Sequence, residues 1–153
     1  MSSLPPYYTS GDALVTATMV KQYSYCPTLP WLESRIGLLE PLTPSMETAR
    51  ITADEKEAIA RELGLPEPLR IETPVHDPEL GATGVIDVIA GESRVDILEI
   101  KAHQRHPRRA KHFLNQLLVY ALLAHRNIAP VHRAILYIAG ETIEITINNY
   151  HLT

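Results

Sequence analysis

The middle of the chain, from Gly84 to Lys101, has the clearest pattern of hydrophobic and polar positions. It predicts two β-strands, Val85 to Ala90 and Arg94 to Lys101, joined by a short polar turn at residues 91–93. Side chains alternate between the two faces of a strand, and one face of this hairpin is wholly aliphatic. That face suits a buried core, and it carries Ile86, Val88, Leu98 and Ile100.

Hydrophobic periodicity predicts four helices and three more strands around this hairpin. The first helix is capped by Thr16 or Thr18, runs through Tyr23 and ends before Pro27. The other predicted helices are Leu29 to Ile36, Ser45 to Leu63 and Arg108 to His125, and the other strands are Leu69 to Val75, Arg133 to Ile138 and Thr142 to Ile147. This order of elements predicts a mixed α/β fold, with a central sheet flanked by helices.

The composition agrees with a single domain over residues 1–153, in which residues 1–12 form a loose Pro-, Ser- and Tyr-rich arm. Hydrophobic residues make up 45% of the chain and charged residues 21%, as in ordinary globular proteins. No apolar run approaches the roughly 20 residues of a membrane span, and the N-terminus lacks the pattern of a secretory signal. Cys26 is the only cysteine, so no internal disulfide can form, and a cytoplasmic location is expected.

Two carboxylates and a lysine interrupt the apolar strands of the hairpin. Asp87 lies on the first strand, and Glu99 and Lys101 share one face of the second. If the hairpin folds back near Glu92, the two carboxylates are diagonal neighbours within reach of one small cation. With the main-chain carbonyl of Ile100 they offer hard oxygen ligands suited to Mg²⁺ or Mn²⁺, and such an ion could orient a phosphate and activate a water. The alternative is a structural ion pair between Lys101 and one of the carboxylates at the rim of a sheet.

The formal net charge of −4 gives no sign of a nucleic-acid partner, but the distribution of charge does. Residues 101–112 contain no acidic side chain. The basic residues of this stretch are Lys101, Arg105, Arg108, Arg109 and Lys111. A basic stretch beside a candidate metal site is typical of proteins that bind a phosphate backbone, although a solvated face at the start of a helix would carry the same charges.

Three histidines also lie in this basic stretch, at His103, His106 and His112. Their spacing could serve a zinc site. Because no cysteine lies near them and several arginines are interleaved, a DNA-facing surface is the favoured interpretation.

The central hairpin, with Asp87, Glu99 and Lys101, resembles the core of the PD-(D/E)XK nucleases. The last predicted helix contains Gln116 and Tyr120, which resemble the QxxxY element of the RecB-type branch of that superfamily. Residues four apart project from the same side of a helix. The resemblance implies that this side faces the active site and that Gln116 acts near the substrate or the metal ligands.

The N-terminal half is similar to the opening of the CRISPR-associated RecB-like exonucleases. The similar segments are residues 15–27, Trp31-Leu32 and residues 40–46, and the resemblance runs from about Val15 to Ile147. It implies a metal-dependent DNA nuclease that acts on single-stranded ends, with CRISPR integrase proteins as partners in spacer acquisition. A non-catalytic DNA-binding or adaptor module that keeps the fold is the rival hypothesis.

The chain departs from that family at two places. The family's usual metal-binding histidine falls at or near Thr52, so Glu47 or Glu55 could substitute for it, or the ion could be held by Asp87, Glu99, water and the Ile100 carbonyl. Family members also bind an iron–sulfur cluster through several cysteines. A single thiolate cannot hold such a cluster, so no iron–sulfur cluster is expected here.

Overall fold

Six strands form one mixed sheet in the part of the chain that this computed structural model describes, which is residues 15–25, 51–102, 111–138 and 140–147. The strands are β1 (Val15–Thr16), β2 (Leu69–Asp77), β3 (Ala82–Gly91), β4 (Val95–Lys101), β5 (Val131–Ile138) and β6 (Glu141–Thr146). The helices are α1 (Ala17–Tyr25), α2 (Ala53–Glu62) and α3 (Lys111–Asn127). The predicted fold class, a mixed sheet flanked by helices, is confirmed.

Strand β3 is central to the sheet because it pairs with three other strands. β2 pairs with it antiparallel from Leu69 to Asp77 and occupies one of its edges. β1 and β4 share the other edge, because β1 runs parallel to residues 82–83 and β4 runs antiparallel to residues 88–91. α3 connects β4 to β5, which are parallel, and β6 pairs antiparallel with β5.

Both faces of the sheet are covered at β3 and β4, which explains why these two strands are nearly continuous apolar runs. α1 and α3 cover one face, where Ile97 and Leu117 are fully buried. α2 covers the other face, where Ala60 packs with Val88 and Leu98. The acidic side chains of β4, Asp96 and Glu99, are therefore buried as well.

The aliphatic face predicted for the central hairpin is correct at three of its four positions, which pack under α2. The exception is Ile86, which packs on the α3 side, so the alternation between faces fails at Asp87. In the register of β2 with β3, the residue opposite Asp87 is Glu72, whose φ of 50° is unusual for a residue other than glycine. This local irregularity of the ladder turns Ile86 to the other face.

Two helices begin at threonine caps. Within the described part of the helix predicted from Ser45 to Leu63, α2 begins after Thr52, because Thr52 is extended (φ −73°, ψ 161°) and its side chain accepts the N–H of Glu55. The Glu55 carboxylate in turn accepts the N–H of Thr52 at 3.0 Å, which completes a capping box. α1 begins after Thr16, whose Oγ1 accepts the N–H of Met19 at 3.0 Å.

Strand β1 was not predicted, and the remaining described elements differ from the prediction only at their ends. β2 continues to Asp77 instead of ending at Val75, and α3 continues to Asn127 instead of ending at His125. The predicted helix from Leu29 to Ile36 and the N-terminal arm lie outside the described residues. None of the described helices combines the length and the apolarity that crossing a bilayer requires.

A buried carboxylate, Asp77, joins the end of α3 to the end of β2. Its Oδ2 accepts hydrogen bonds from Arg126 at 2.6 Å and from Asn127 at 3.1 Å. Its Oδ1 accepts the N–H of Leu80 at 3.0 Å. The hydrogen bond from Arg126, with the bonds from Leu80 and Asn127, lowers the pKa of Asp77 to about 2.

Asp77→Asn is expected to destabilise the protein at neutral pH and to reduce its sensitivity to acid. A carboxylate with a lowered pKa stabilises the fold above its unfolded value, near 3.8, and this contribution is lost as the pH falls toward 2. Urea unfolding curves for the two proteins should therefore converge at acidic pH. Glu79→Gln, which removes only the exposed second partner of Arg126, is the matched control. Parallel pH profiles for wild type and Asp77→Asn would contradict the assignment.

Candidate functional site

An opening in the sheet lies on one edge of β3, between β1 and β4. β1 pairs only with Ala82 and Thr83, and β4 begins to pair at Val88. Among the described residues, no strand therefore lies beside residues 84–87 on that edge. β4 continues past this point to Lys101 while it pairs with β5 on its other side.

Asp87 stands where β3 and β4 separate. The register that pairs Val88 with Leu98 would place Asp87 opposite Glu99. Instead, the Oδ2 atom of Asp87 accepts the backbone N–H of Ile100 at 2.8 Å. A side chain therefore takes the place of a ladder hydrogen bond, and the carboxylate is held at the opening between the strands.

Lys56, on α2, is a residue of this site that sequence reasoning missed. Its Nζ lies 2.7 Å from Oδ1 of Asp87 and 3.1 Å from Oε1 of Glu72. Burial acts to lower the pKa of Lys56, but the hydrogen bonds and charges of the two carboxylates together raise it above the ordinary value. The available signal was slight: Lys56 lies four residues before Ala60, which is fully buried, so both lie on the side of α2 that faces the sheet.

Glu99 is buried on the α3 side of the opening, with 4% of its surface exposed. Its Oε1 pairs with Nζ of Lys101 at 2.8 Å, whereas its Oε2 is buried and has no hydrogen-bond partner among the described residues. Burial raises the pKa of Glu99 to about 7; the charge of Asp87 adds to this effect and Lys101 opposes it. Near neutral pH the carboxyl group is thus easily protonated, unless a cation joins it.

Gln116 and Tyr120 reach the same place from α3, as expected for residues four apart on one side of a helix. Nε2 of Gln116 donates to the Tyr120 hydroxyl at 3.3 Å, and Oε1 of Gln116 is buried without a hydrogen-bond partner in the described part of the chain. Burial raises the pKa of Tyr120, and the nearby charges of Glu99 and Asp87 raise it further. The Tyr120 hydroxyl therefore stays protonated at neutral pH and can act as a donor.

One aromatic ring positions lysines at the rim of the site. Nζ of Lys101 lies 5.0 Å from the centre of the Phe113 ring, and Nζ of Lys21 lies 6.0 Å from it. Cations near an aromatic ring are attracted by its negative face. The rim next to Glu99 is therefore positively charged and joins α1, β4 and α3.

The chemistry of these donors fits Mg²⁺ or Mn²⁺ in one respect and competes with it in another. Asp87 and Glu99 present hard oxygen atoms, and the unpartnered Oε2 of Glu99 is the kind of buried anionic atom that a cation would satisfy. In the described residues, however, no group of three or more His, Cys, Asp or Glu side chains gathers around a common point. Lys56 already supplies a positive charge to Asp87. These residues can therefore bind an ion if the ammonium group of Lys56 moves away from Asp87.

The structure brings together five of the residues singled out in the sequence: Asp87, Glu99, Lys101, Gln116 and Tyr120. Of the predicted DNA-binding residues, Arg105, Arg108 and Arg109 lie outside the described residues, and for Lys111 only the backbone, in α3, is described. Other candidates also lie outside the described residues: His103, His106, Cys26, Glu47 and the side chain of His112.

Of the two residues suggested to substitute for the family's histidine, Glu47 lies outside the described residues, and Glu55 is not directed at the site. Its carboxylate is exposed and is engaged in the capping box with Thr52, so it does not reach Asp87. The side chain that α2 contributes to the site is instead the next residue, Lys56, because successive residues of a helix project in different directions.

Gly84 lies directly beneath Tyr120 at the opening, and we predict that this contact requires glycine. A Cβ at Gly84 would lie 2.7 Å from Cε1 of Tyr120. Gly84→Ala should therefore destabilise the protein by about 2 kcal/mol, as expected for overpacking in a rigid interior. In a Tyr120→Ala background the same change should cost less than about 0.5 kcal/mol, since the effects of substitutions at residues in contact are not additive. Urea unfolding of the four proteins measures the coupling, and equal costs in both backgrounds would refute it.

Comparisons with known proteins add a distant structural likeness. A crystal structure of SSO0001 is similar to this chain at 16% sequence identity and a TM-score of 0.45, with 92% of this chain and 70% of that chain covered. No protein-family model matches the sequence. None of the curated proteins matches it either.

Proposed function

We propose that the protein is a metal-dependent DNA nuclease that hydrolyses phosphodiester bonds. The observation that carries the proposal is the meeting of Asp87 and Glu99 at the opening between β3 and β4, with one buried carboxylate oxygen unpartnered among the described residues. A buried carboxylate oxygen without a hydrogen-bond partner is costly, and such groups persist mainly where a function needs them. The resemblance of the same residues to the PD-(D/E)XK core agrees with this interpretation.

Each residue has a role that follows from its position. A bound Mg²⁺ or Mn²⁺, held by Asp87, Glu99 and the main-chain carbonyl of Ile100, would supply an activated water and polarise the phosphate. Lys101, 2.8 Å from Glu99, places an ammonium where negative charge develops on the phosphate during hydrolysis. Tyr120 keeps its proton and can donate to a phosphate oxygen, and Gln116 holds the Tyr120 hydroxyl.

The proposed substrate is single-stranded DNA, which the enzyme would degrade from an end. The basic stretch from Lys101 to Lys111 follows β4 directly, so a strand bound along it would bring a phosphate toward Glu99. The resemblance to CRISPR-associated exonucleases adds integrase proteins as proposed partners.

The test is degradation of an end-labelled single-stranded DNA oligonucleotide by the purified chain. Shortening of the labelled strand is expected with Mn²⁺ or Mg²⁺, and it should stop when a chelator removes the ion. A Glu99→Ala protein purified in parallel controls for contaminating nucleases. A strand that stays intact with both metals would reject the proposal.

A DNA-binding or adaptor module without chemistry is the second candidate, and one observation favours it. Asp87 pairs with Lys56 and Glu99 pairs with Lys101, so the charges of the two carboxylates are balanced by ammonium groups without an ion. Binding of single-stranded DNA that weakens steeply with salt, together with no cleavage under any metal condition, would favour this candidate.

A further inference from the structure

Lys56 is stabilised at its position in α2 by two carboxylates, those of Asp87 and Glu72, and not by the helix itself. Lys56 lies in the first turn, where its N–H donates to the Thr52 carbonyl at 3.0 Å. The partial positive charge of a helix N-terminus favours acidic residues in this turn, as at Asp54 and Glu55, and disfavours a lysine. A cation held there, with 13% of its side chain exposed, is stabilised by its partners Asp87 and Glu72.

Lys56 and a divalent ion at the proposed site both require the Asp87 carboxylate. Oδ2 of Asp87 is engaged by the N–H of Ile100, and Oδ1 is engaged by Nζ of Lys56 at 2.7 Å. Each carboxylate oxygen thus accepts a hydrogen bond, and among the described residues the cation in contact with Asp87 is Lys56, at Oδ1. An ion that approaches Asp87 meets an ammonium already in contact with it, and two cations on one carboxylate oxygen repel each other strongly at low dielectric.

Glu72 gives Lys56 a place to remain after it leaves Asp87. The Glu72 carboxylate is half exposed, at 50%, and lies 3.1 Å from the same Nζ atom. A long lysine side chain can move between two neighbouring carboxylates through changes of rotamer alone. Glu72 lies opposite Asp87 on β2, so such a movement does not need the backbone of α2 to shift.

We propose that Lys56 is a tethered cation that competes with the divalent metal ion for Asp87 and moves to Glu72 when the ion binds. The inference rests on the proposed function, because it concerns the ion of that site. Lys56 thereby stabilises the metal-free protein and sets a threshold of metal concentration for loading.

The test is a calorimetric titration of the full chain with Mn²⁺ alone, without DNA. Lys56→Met should bind Mn²⁺ about tenfold more tightly than wild type, because removal of the ammonium leaves a buried, uncompensated carboxylate for the ion to satisfy. Arg61→Met is the matched control: it removes one positive charge from the same helix, but Arg61 pairs with Glu57 and Glu67 away from the site. This control should bind Mn²⁺ as wild type does.

A second variant and a second measurement guard against a failure of Lys56→Met to fold. Lys56→Gln keeps an N–H donor for Asp87 without the charge and should also bind Mn²⁺ more tightly. In the wild type, acylation of Lys56 by an amine reagent, measured by peptide mass spectrometry, should become faster when Mn²⁺ is added. Unchanged or weaker binding in both variants, no Mn²⁺ binding by any form, or a slower acylation would each overturn the inference.

Failure of this inference can be told apart from failure of the proposed function. Tighter Mn²⁺ binding by Lys56→Met, with no DNA cleavage by any form, would keep the competition and reject the nuclease. A wild type that cleaves DNA, with Mn²⁺ affinity unchanged in Lys56→Met, would keep the nuclease and reject the competition.

Discussion

Replacing Glu99 with alanine is expected to lower the rate of Mn²⁺-dependent DNA cleavage by about 10³-fold, the loss that follows removal of one preorganised electrostatic group from an active site. The reason lies in the geometry: Glu99 is the buried partner of Lys101, and the same carboxylate supplies the unpartnered oxygen at the opening. The change also removes a negative charge beside the proposed path of the DNA. Binding of single-stranded DNA, measured by fluorescence anisotropy, should therefore be unchanged or slightly tighter.

Asp96→Ala is the matched control for this prediction. Asp96 is also an acidic residue of β4 with 4% exposure, but it pairs with Arg133 at 3.0 Å and not with the residues of the opening. We expect this variant to be less stable, but below its unfolding temperature it should cleave DNA at the wild-type rate. Cleavage by Glu99→Ala within about tenfold of wild type would contradict the role given to Glu99.

The central hairpin and α3 could be predicted from the sequence because their determinants are local. Strand alternation and a short polar turn define β3 and β4, and an apolar stripe defines α3. The sequence predicts that Gln116 and Tyr120 project together because they are four positions apart in a helix, and they are hydrogen-bonded to each other. The residue pair Glu99 and Lys101 lies on one strand, so its shared face was also local information.

Lys56 could not be predicted in the same way because its contacts are distant in sequence. It lies 31 residues before Asp87, on a helix whose start depends on the cap at Thr52. A start at Ser45 and a start after Thr52 satisfy the same hydrophobic pattern, and only the second is compatible with the extended backbone at Thr52. The position of Ile86 on the α3 face of the sheet could not be predicted for a similar reason. It depends on the backbone of Glu72 in the neighbouring strand.

The metal-free protein is expected to lose stability as the pH rises from about 4.5 to about 7, and Glu99→Gln is expected to remove that loss. Burial, with the charge of Asp87, raises the pKa of Glu99 to about 7 from an ordinary value near 4.5. The folded protein therefore holds this proton more tightly than the unfolded chain does. Within that pH window the free energy of unfolding falls as the pH rises, and below it the contribution is fully present.

The difference should amount to about 3 kcal/mol across the window, since each unit of pKa shift corresponds to about 1.4 kcal/mol. Urea unfolding in the presence of a chelator, at several pH values from about 4.5 to about 8, measures it for wild type and Glu99→Gln. Glutamine has the same shape and does not titrate, so the stability of wild type minus that of the variant should decline steadily over this range. The contribution of Asp77 to stability changes at lower pH and increases as the pH rises, so the two effects can be distinguished. A constant difference between the two proteins would show that Glu99 stays ionised when buried, balanced by Lys101 alone.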